Sequence, residues 1–178
     1  MKSVLLLFAL VSALVAADRP RVTRDDLVGV EKSMDSTIRS WDITAPYDLL
    51  GFTRGVYLPG YGVVFTTEVN LMITVFTPMT PIPSGKALIQ LKEKKLKRLA
   101  FVRNWMRETL INAGAKLDQV PPEERIVYAL TIFYQSFEDH TGMPNQLVIE
   151  APRQALADFK AGRIGQAQLD AAIQAWEL

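Results

Sequence analysis

The chain has no cysteine in its 178 residues and a single histidine, His140. The first absence excludes disulfides, thiol catalysis, a Cys-ligated zinc and a lipid-anchored N-terminal cysteine. The second leaves little material for an imidazole-based triad or metal centre. An excess of one charge is missing too, because 20 Lys+Arg against 19 Asp+Glu leave a formal net charge of +1. That excludes a strongly basic nucleic-acid binder, although local patches remain open. No apolar run reaches the roughly 20 residues that a helix needs to cross a bilayer. There is no Asn-x-Ser/Thr sequon, no repeat of fixed period and no low-complexity tract.

Apolar residues at 49% and charged residues at 22% are instead the composition of a globular domain. Met1-Lys2 forms a short positive start and Val4 to Val15 a mostly apolar stretch. Val15-Ala16-Ala17 then offers the small residues that a signal peptidase reads, with the cut before Asp18. We therefore expect a signal peptide at 1–17 and one globular domain at 18–178, exported to the periplasm or beyond. Lys2 is the only charge removed with such a leader, so 19 basic and 19 acidic residues would remain.

The pattern after residue 22 predicts the elements. Thr23 can cap a helix with Asp25 and Asp26 near its positive end. Leu27, Val30, Met34, Ile38 and Trp41 then recur as one helical stripe. Asp42 to Gly51, with Pro46, breaks it. Residues 53–75 read as a short strand, a Pro59-Gly60 turn and a long strand. Along that long strand Val63, Phe65, Val69, Leu71, Ile73 and Val75 share one face, and Thr66, Glu68, Asn70 and Thr74 the other. Thr77 to Gly85 is a stiff, apolar loop. A long helix over 86–113 should end at Gly114. Residues 126–137 and 146–151 read as strands around a turn at 139–142. Pro152 opens a helix to about Ala161, and residues 166–176 predict a last one. Two hairpins joined by a helix predict an α+β fold: an antiparallel sheet of about four strands packed against a long helix and flanking helices.

The segment Thr53-Arg54-Gly55-Val56-Tyr57-Leu58-Pro59-Gly60-Tyr61-Gly62-Val63-Val64-Phe65-Thr66-Thr67-Glu68-Val69-Asn70-Leu71 resembles the signature of an uncharacterised family of exported bacterial proteins. Residues 95–99 and 133–139 fit the same group, so the resemblance covers most of the chain after the leader. It implies export and no particular activity or site. The strand–helix order is also similar to sandwich modules of the profilin or roadblock kind, a likeness of fold alone.

Four constellations could carry function. Lys94, Lys97 and Arg98 fall on one helical face with Phe101 and Trp105. Basic residues interleaved with rings suit an anionic lipid or glycan, unless the rings pack inward beneath the C-terminal helices and the lysines are merely solvated. Lys95 falls in the apolar arc, where its stem could snorkel. Thr66, Glu68 and Asn70 could hold a polar ligand, or Glu68 could act as an acid with Glu138, Asp139 or Glu150 as the second carboxylate of a hydrolase. The alternative is an ordinary solvent face. Glu138-Asp139-His140 could bind a metal, or His140 could serve as base for Ser136, but neighbours in a tight turn point apart. Ser84-Gly85-Lys86 reads as a helix start rather than a Ser–Lys pair. The loop with Met79, Ile82 and three prolines is the best partner contact by sequence. Gly60-Tyr61-Gly62 opens a strand rather than a helix, so no nucleotide loop is expected.

No catalytic, metal or cofactor site is expected on this reading. The best-supported function is a non-enzymatic module that binds a protein partner or itself. The alternatives are a binder of an anionic or polar ligand from the envelope, such as a glycan or lipid headgroup, and a carboxylate hydrolase.

Overall fold

A computed structural model describes residues 22–42, 44–73, 79, 83 and 85–178. The signal-peptide expectation and Ile82 lie outside the described residues. The fold is α+β, with helices α1 (Arg24–Ser40), α2 (Lys86–Lys116), α3 (Arg153–Lys160) and α4 (Gln166–Ala172). Its strands are β1 (Asp48–Leu49), β2 (Arg54–Leu58), β3 (Gly62–Asn70), β4 (Arg125–Phe133), β5 (Gln146–Pro152) and β6 (Gln174–Glu177).

The start of α1 matches the expectation from sequence. Thr23 and Asp26 form a reciprocal capping box, the Asp26 carboxylate accepting from the Thr23 backbone at 2.7 Å. Leu27, Val30, Met34, Ile38 and Trp41 are all buried. The β2–β3 hairpin turns at Pro59-Gly60. At Gly62 the backbone leaves no room for a side chain: its φ is +137°, and a Cβ there would lie 1.9 Å from the Arg125 carbonyl on β4.

The expected antiparallel sheet of four strands needs correction. The sheet is mixed and has six strands, in the order β1-β3-β4-β5-β6, with β2 also paired to β3. β3 and β4 run parallel over nine register pairs, from Gly62↔Arg125 to Asn70↔Phe133. Length explains the direction. The 31 residues of α2 span about 46 Å, more than the roughly 30 Å of a nine-residue strand. The helix therefore carries the chain back to the end where β3 began, and β4 starts beside it. The other pairings are antiparallel.

Two further boundaries differ. α2 continues past Gly114 to Lys116, and Gly114 serves close packing: a Cβ there would lie 2.5 Å from Leu156 of α3. The last helix ends at Ala172, not 176. From Ile173 the backbone is extended, and β6 pairs with β5 through Leu147↔Glu177 to Glu150↔Gln174. The backbone groups of β5 would otherwise lack partners on that side.

The four helices among the described residues lie on one face of the sheet. Phe65, Val69, Ile126, Tyr128, Leu130, Leu147 and Ile149 meet Leu99, Val102, Met106 and Leu110 of α2 and the α1 stripe in one core. A polar chain crosses this layer. Asp35 of α1 accepts from the Thr53 backbone at 2.9 Å and its hydroxyl at 2.6 Å. Thr53 in turn meets Thr67 at 2.7 Å, and the Tyr128 hydroxyl donates to Thr67 at 3.1 Å. Burial raises the Tyr128 phenol well above its ordinary value, so it stays a donor at any physiological pH.

Candidate functional site

Sheet register dictates what lies on the face opposite the helices. Side chains directly across a ladder share a face. Val56, Val64 and Val127 therefore form one row, which continues to Glu150 and Gln174. Arg54, Thr66, Ala129, Val148 and Trp176 form the next, and Glu68, Thr131 and Gln146 a third. Val127 and Val148 are buried between their neighbours, whereas Val56, Leu58, Tyr61 and Trp176 are 41–51% exposed. The Glu150 carboxylate is buried, held by Arg125 and by the Tyr61 hydroxyl at 3.2 Å. The result is an apolar band flanked by Arg54 and Glu68, which are both exposed.

Thr66 and Glu68 thus stand together on this face. Asn70 does not join them, because it is buried at the end of β3 and its side-chain oxygen accepts from the Met72 backbone at 3.2 Å. Glu68 does not meet a second carboxylate of the hydrolase kind. Glu138 is sealed against α2, Asp139 is held by Lys92 at 2.7 Å, and Glu150 is tied up by Arg125 and Tyr61.

The basic helical face is divided. Lys94 and Lys97 are exposed and free of ion pairs among the described residues. Arg98 is half-buried instead. Its guanidinium donates to the carbonyls of Leu71 and Ala45 and to Asp42, and lies 4.5 Å from the Tyr47 ring centre. Trp105 is buried, 4.4 Å from the Trp41 ring and 5.5 Å from Tyr128. The rings pack against the end of α1 rather than under the C-terminal helices. Arg98 and Trp105 therefore lock α1 to α2 and are not presented to a ligand.

The turn after β4 holds the feature that sequence reasoning missed. Lys95 is 1% exposed and pairs with the buried Glu138 at 2.5 Å, with the Tyr134 ring 5.1 Å away. His140 stacks on the Tyr134 ring, with 4.9 Å between ring centres. Burial pushes the Lys95 ammonium below its ordinary value, and the Glu138 carboxylate pulls the other way. Burial, with the Glu138 charge second, pushes the Tyr134 phenol up to about 12. The Lys92 ammonium, with the Thr141 backbone second, holds Asp139 well below the usual carboxylate range. This is a closed lock on the turn rather than a reactive centre: an ammonium 1% exposed offers no access to a substrate. A lysine in an apolar helical arc was the available signal, but its partner 43 residues away was not.

Among the described residues no group of His, Asp and Glu could hold a metal ion. Met79 is 96% exposed. Among the described residues, no helix is long and apolar enough to cross a membrane. Compared with protein-family models, curated proteins and solved structures, the chain has no significant match. The resemblance of segment 53–71 therefore rests on the segment itself.

Proposed function

We propose that the protein is an exported, non-enzymatic binding module that associates with a second copy of itself through the sheet face opposite the described helices. The observation that carries this reading is the set of exposed apolar side chains on that face, Val56, Leu58, Tyr61 and Trp176, around a floor of Val64, Val127 and Val148 in two adjacent register rows. An apolar patch of this kind on a soluble chain marks an interaction surface.

Area and charge fit a second copy as occupant. Strands of 2, 5, 9, 9, 7 and 4 residues, at about 3.3 Å per residue and about 4.8 Å apart, give a face of roughly 570 Å². That is below the ~800 Å² per partner of a standard interface and suits a small, reversible one. The formal charge of +1 imposes little repulsion between copies, and Arg54 and Glu68 offer opposite charges on the same face. The leader-like residues 1–17 support export, and exposed Met79 is a further contact that a partner could cover.

Sedimentation equilibrium of the full chain, expressed for export, tests the reading. The expected result is twice the mass of one chain at micromolar concentration, returning to a single-chain mass for Val56→Glu. A one-chain mass for the parent protein at all concentrations reached would overturn self-association.

A further inference from the structure

A groove of about 420 Å³ lies between α1 and the segment joining β1 to β2, on the side of the molecule away from β6. Arg24, Lys32, Arg39 and Arg54 line it against two carboxylates, Glu31 and Asp35. Both carboxylates are buried and already engaged. Glu31 holds Arg24 through two contacts of 2.5 Å and accepts from the Gly55 backbone at 2.6 Å. Asp35 accepts from the Thr53 backbone and hydroxyl. Lys32, Arg39 and Arg54 are exposed and have no carboxylate partner among the described residues.

Phe52 lines the groove and is 59% exposed, and Leu50, two residues earlier in the chain, is 42% exposed. The guanidinium carbons of Arg39 and Arg54 lie 5.5 and 5.7 Å from the centre of the Phe52 ring. Two guanidinium groups at one ring cluster their N–H donors around an apolar tip. Arginine in this setting hydrogen-bonds phosphate in a planar fork, and an exposed aromatic beside it suits the boundary between headgroups and acyl chains.

We propose that this edge of the protein docks on an anionic phospholipid bilayer, with Arg39, Arg54 and Lys32 taking lipid phosphates and Phe52 and Leu50 entering the interface. The charge complementarity is local, since the chain as a whole is nearly neutral. Arg54 is shared with the sheet face proposed for self-association, whereas Lys32, Arg39 and Phe52 belong to the groove, so loss of vesicle binding with an unchanged dimer mass separates the two readings.

Co-sedimentation of the full chain with vesicles of equimolar phosphatidylglycerol and phosphatidylcholine tests the assignment, with pure phosphatidylcholine vesicles as comparison. Each surface arginine is worth on the order of a fivefold change in partition at an anionic membrane. The pair Arg39→Gln with Arg54→Gln should therefore weaken binding about 25-fold, and Phe52→Ala about tenfold. The pair Lys94→Gln with Lys97→Gln removes the same charge from exposed sites on α2 and should change binding less than twofold. Urea midpoints equal to that of the parent chain show that each variant is folded. Absence of vesicle binding, or equal losses in the two double variants, would overturn the proposal. So would equal binding to neutral vesicles, or release from the vesicles by millimolar glycerol 3-phosphate, which would make the groove a receptor for free phosphate.

Discussion

Of the places in this molecule where a cation lies against an aromatic ring, two have opposite consequences. Lys95 lies 5.1 Å from Tyr134, is 1% exposed, and is matched by Glu138 at 2.5 Å. Arg39 and Arg54 lie 5.5 and 5.7 Å from Phe52, in solvent, without a carboxylate partner among the described residues. The contact type is similar, but the desolvation is not. A buried ammonium needs its carboxylate, because an unpaired charge in the interior is far more costly than the pair. An exposed guanidinium has no such requirement, so its donors stay available to a ligand. Burial, rather than the kind of contact, separates residues that hold the fold from residues that can bind.

The sharpest way to break the comparison is to remove the buried cation. Lys95→Ala should destabilise the protein by about 3–5 kcal/mol, because Glu138 is left charged and buried beside Tyr134. Replacing both partners, with Lys95→Met and Glu138→Leu together, should recover most of that loss, since two apolar groups of similar size need no pairing. Urea unfolding of the single and double variants measures both. A loss below about 1 kcal/mol for Lys95→Ala would mean that Glu138 is readily rehydrated or neutralised, and the contrast with Phe52 would disappear.

The same difference governs what the sequence made legible. The α1 stripe could be read because Leu27, Val30, Met34, Ile38 and Trp41 recur at helical spacing, and all five are buried. The β2–β3 hairpin could be read from Pro59-Gly60 and the alternation after it. Strand direction could not, because local periodicity is the same in parallel and antiparallel strands. It depends on the length of α2 and the end of the sheet to which that helix returns. The strand at 174–177 was hidden for a related reason: Leu169, Ile173 and Trp176 also fit a helical spacing, and only the unpaired side of β5 favours the extended form. Among candidate residues, Thr66 and Glu68 share a face as their parity requires, whereas Arg98 and Trp105 are covered by the end of α1, a tertiary contact no spacing encodes. Phe52 and Arg54 are near neighbours in sequence, but Arg39 reaches the same ring only through the packing of α1 on β2.

An intermediate case sharpens the rule. Asp35 is buried like Glu138, but its partners are neutral: the backbone N–H and the hydroxyl of Thr53. Asp35→Ala leaves one buried backbone donor unsatisfied, while the Thr53 hydroxyl keeps its contact with Thr67. The expected loss is about 1–3 kcal/mol, smaller than for an abandoned buried charge. Asp35→Asn keeps an acceptor in place and should lose less than Asp35→Ala. Urea midpoints check the order, and a larger loss for Asp35→Asn would show that the carboxylate charge, rather than its acceptor geometry, holds α1 to the sheet.

The smallest effect belongs to the exposed cations. Arg39→Ala and Arg54→Ala remove guanidinium groups that bear no ion pair among the described residues; both flank a ring in solvent, and Arg54 also donates to the Thr53 carbonyl at 3.4 Å. Their stability should stay within about 0.5 kcal/mol of the parent chain, as for surface substitutions that touch no cap, core or buried network. An exposed cation–π contact is worth at most about 0.5–1 kcal/mol, and water regains both groups when it is lost. The measurement is again the urea midpoint, now made beside vesicle binding on the same samples. A variant that unfolds no more readily than the parent but leaves the vesicles separates binding from folding at this edge. A variant losing about 2 kcal/mol or more would instead place Arg39 and Arg54 with Lys95, as residues that hold the fold.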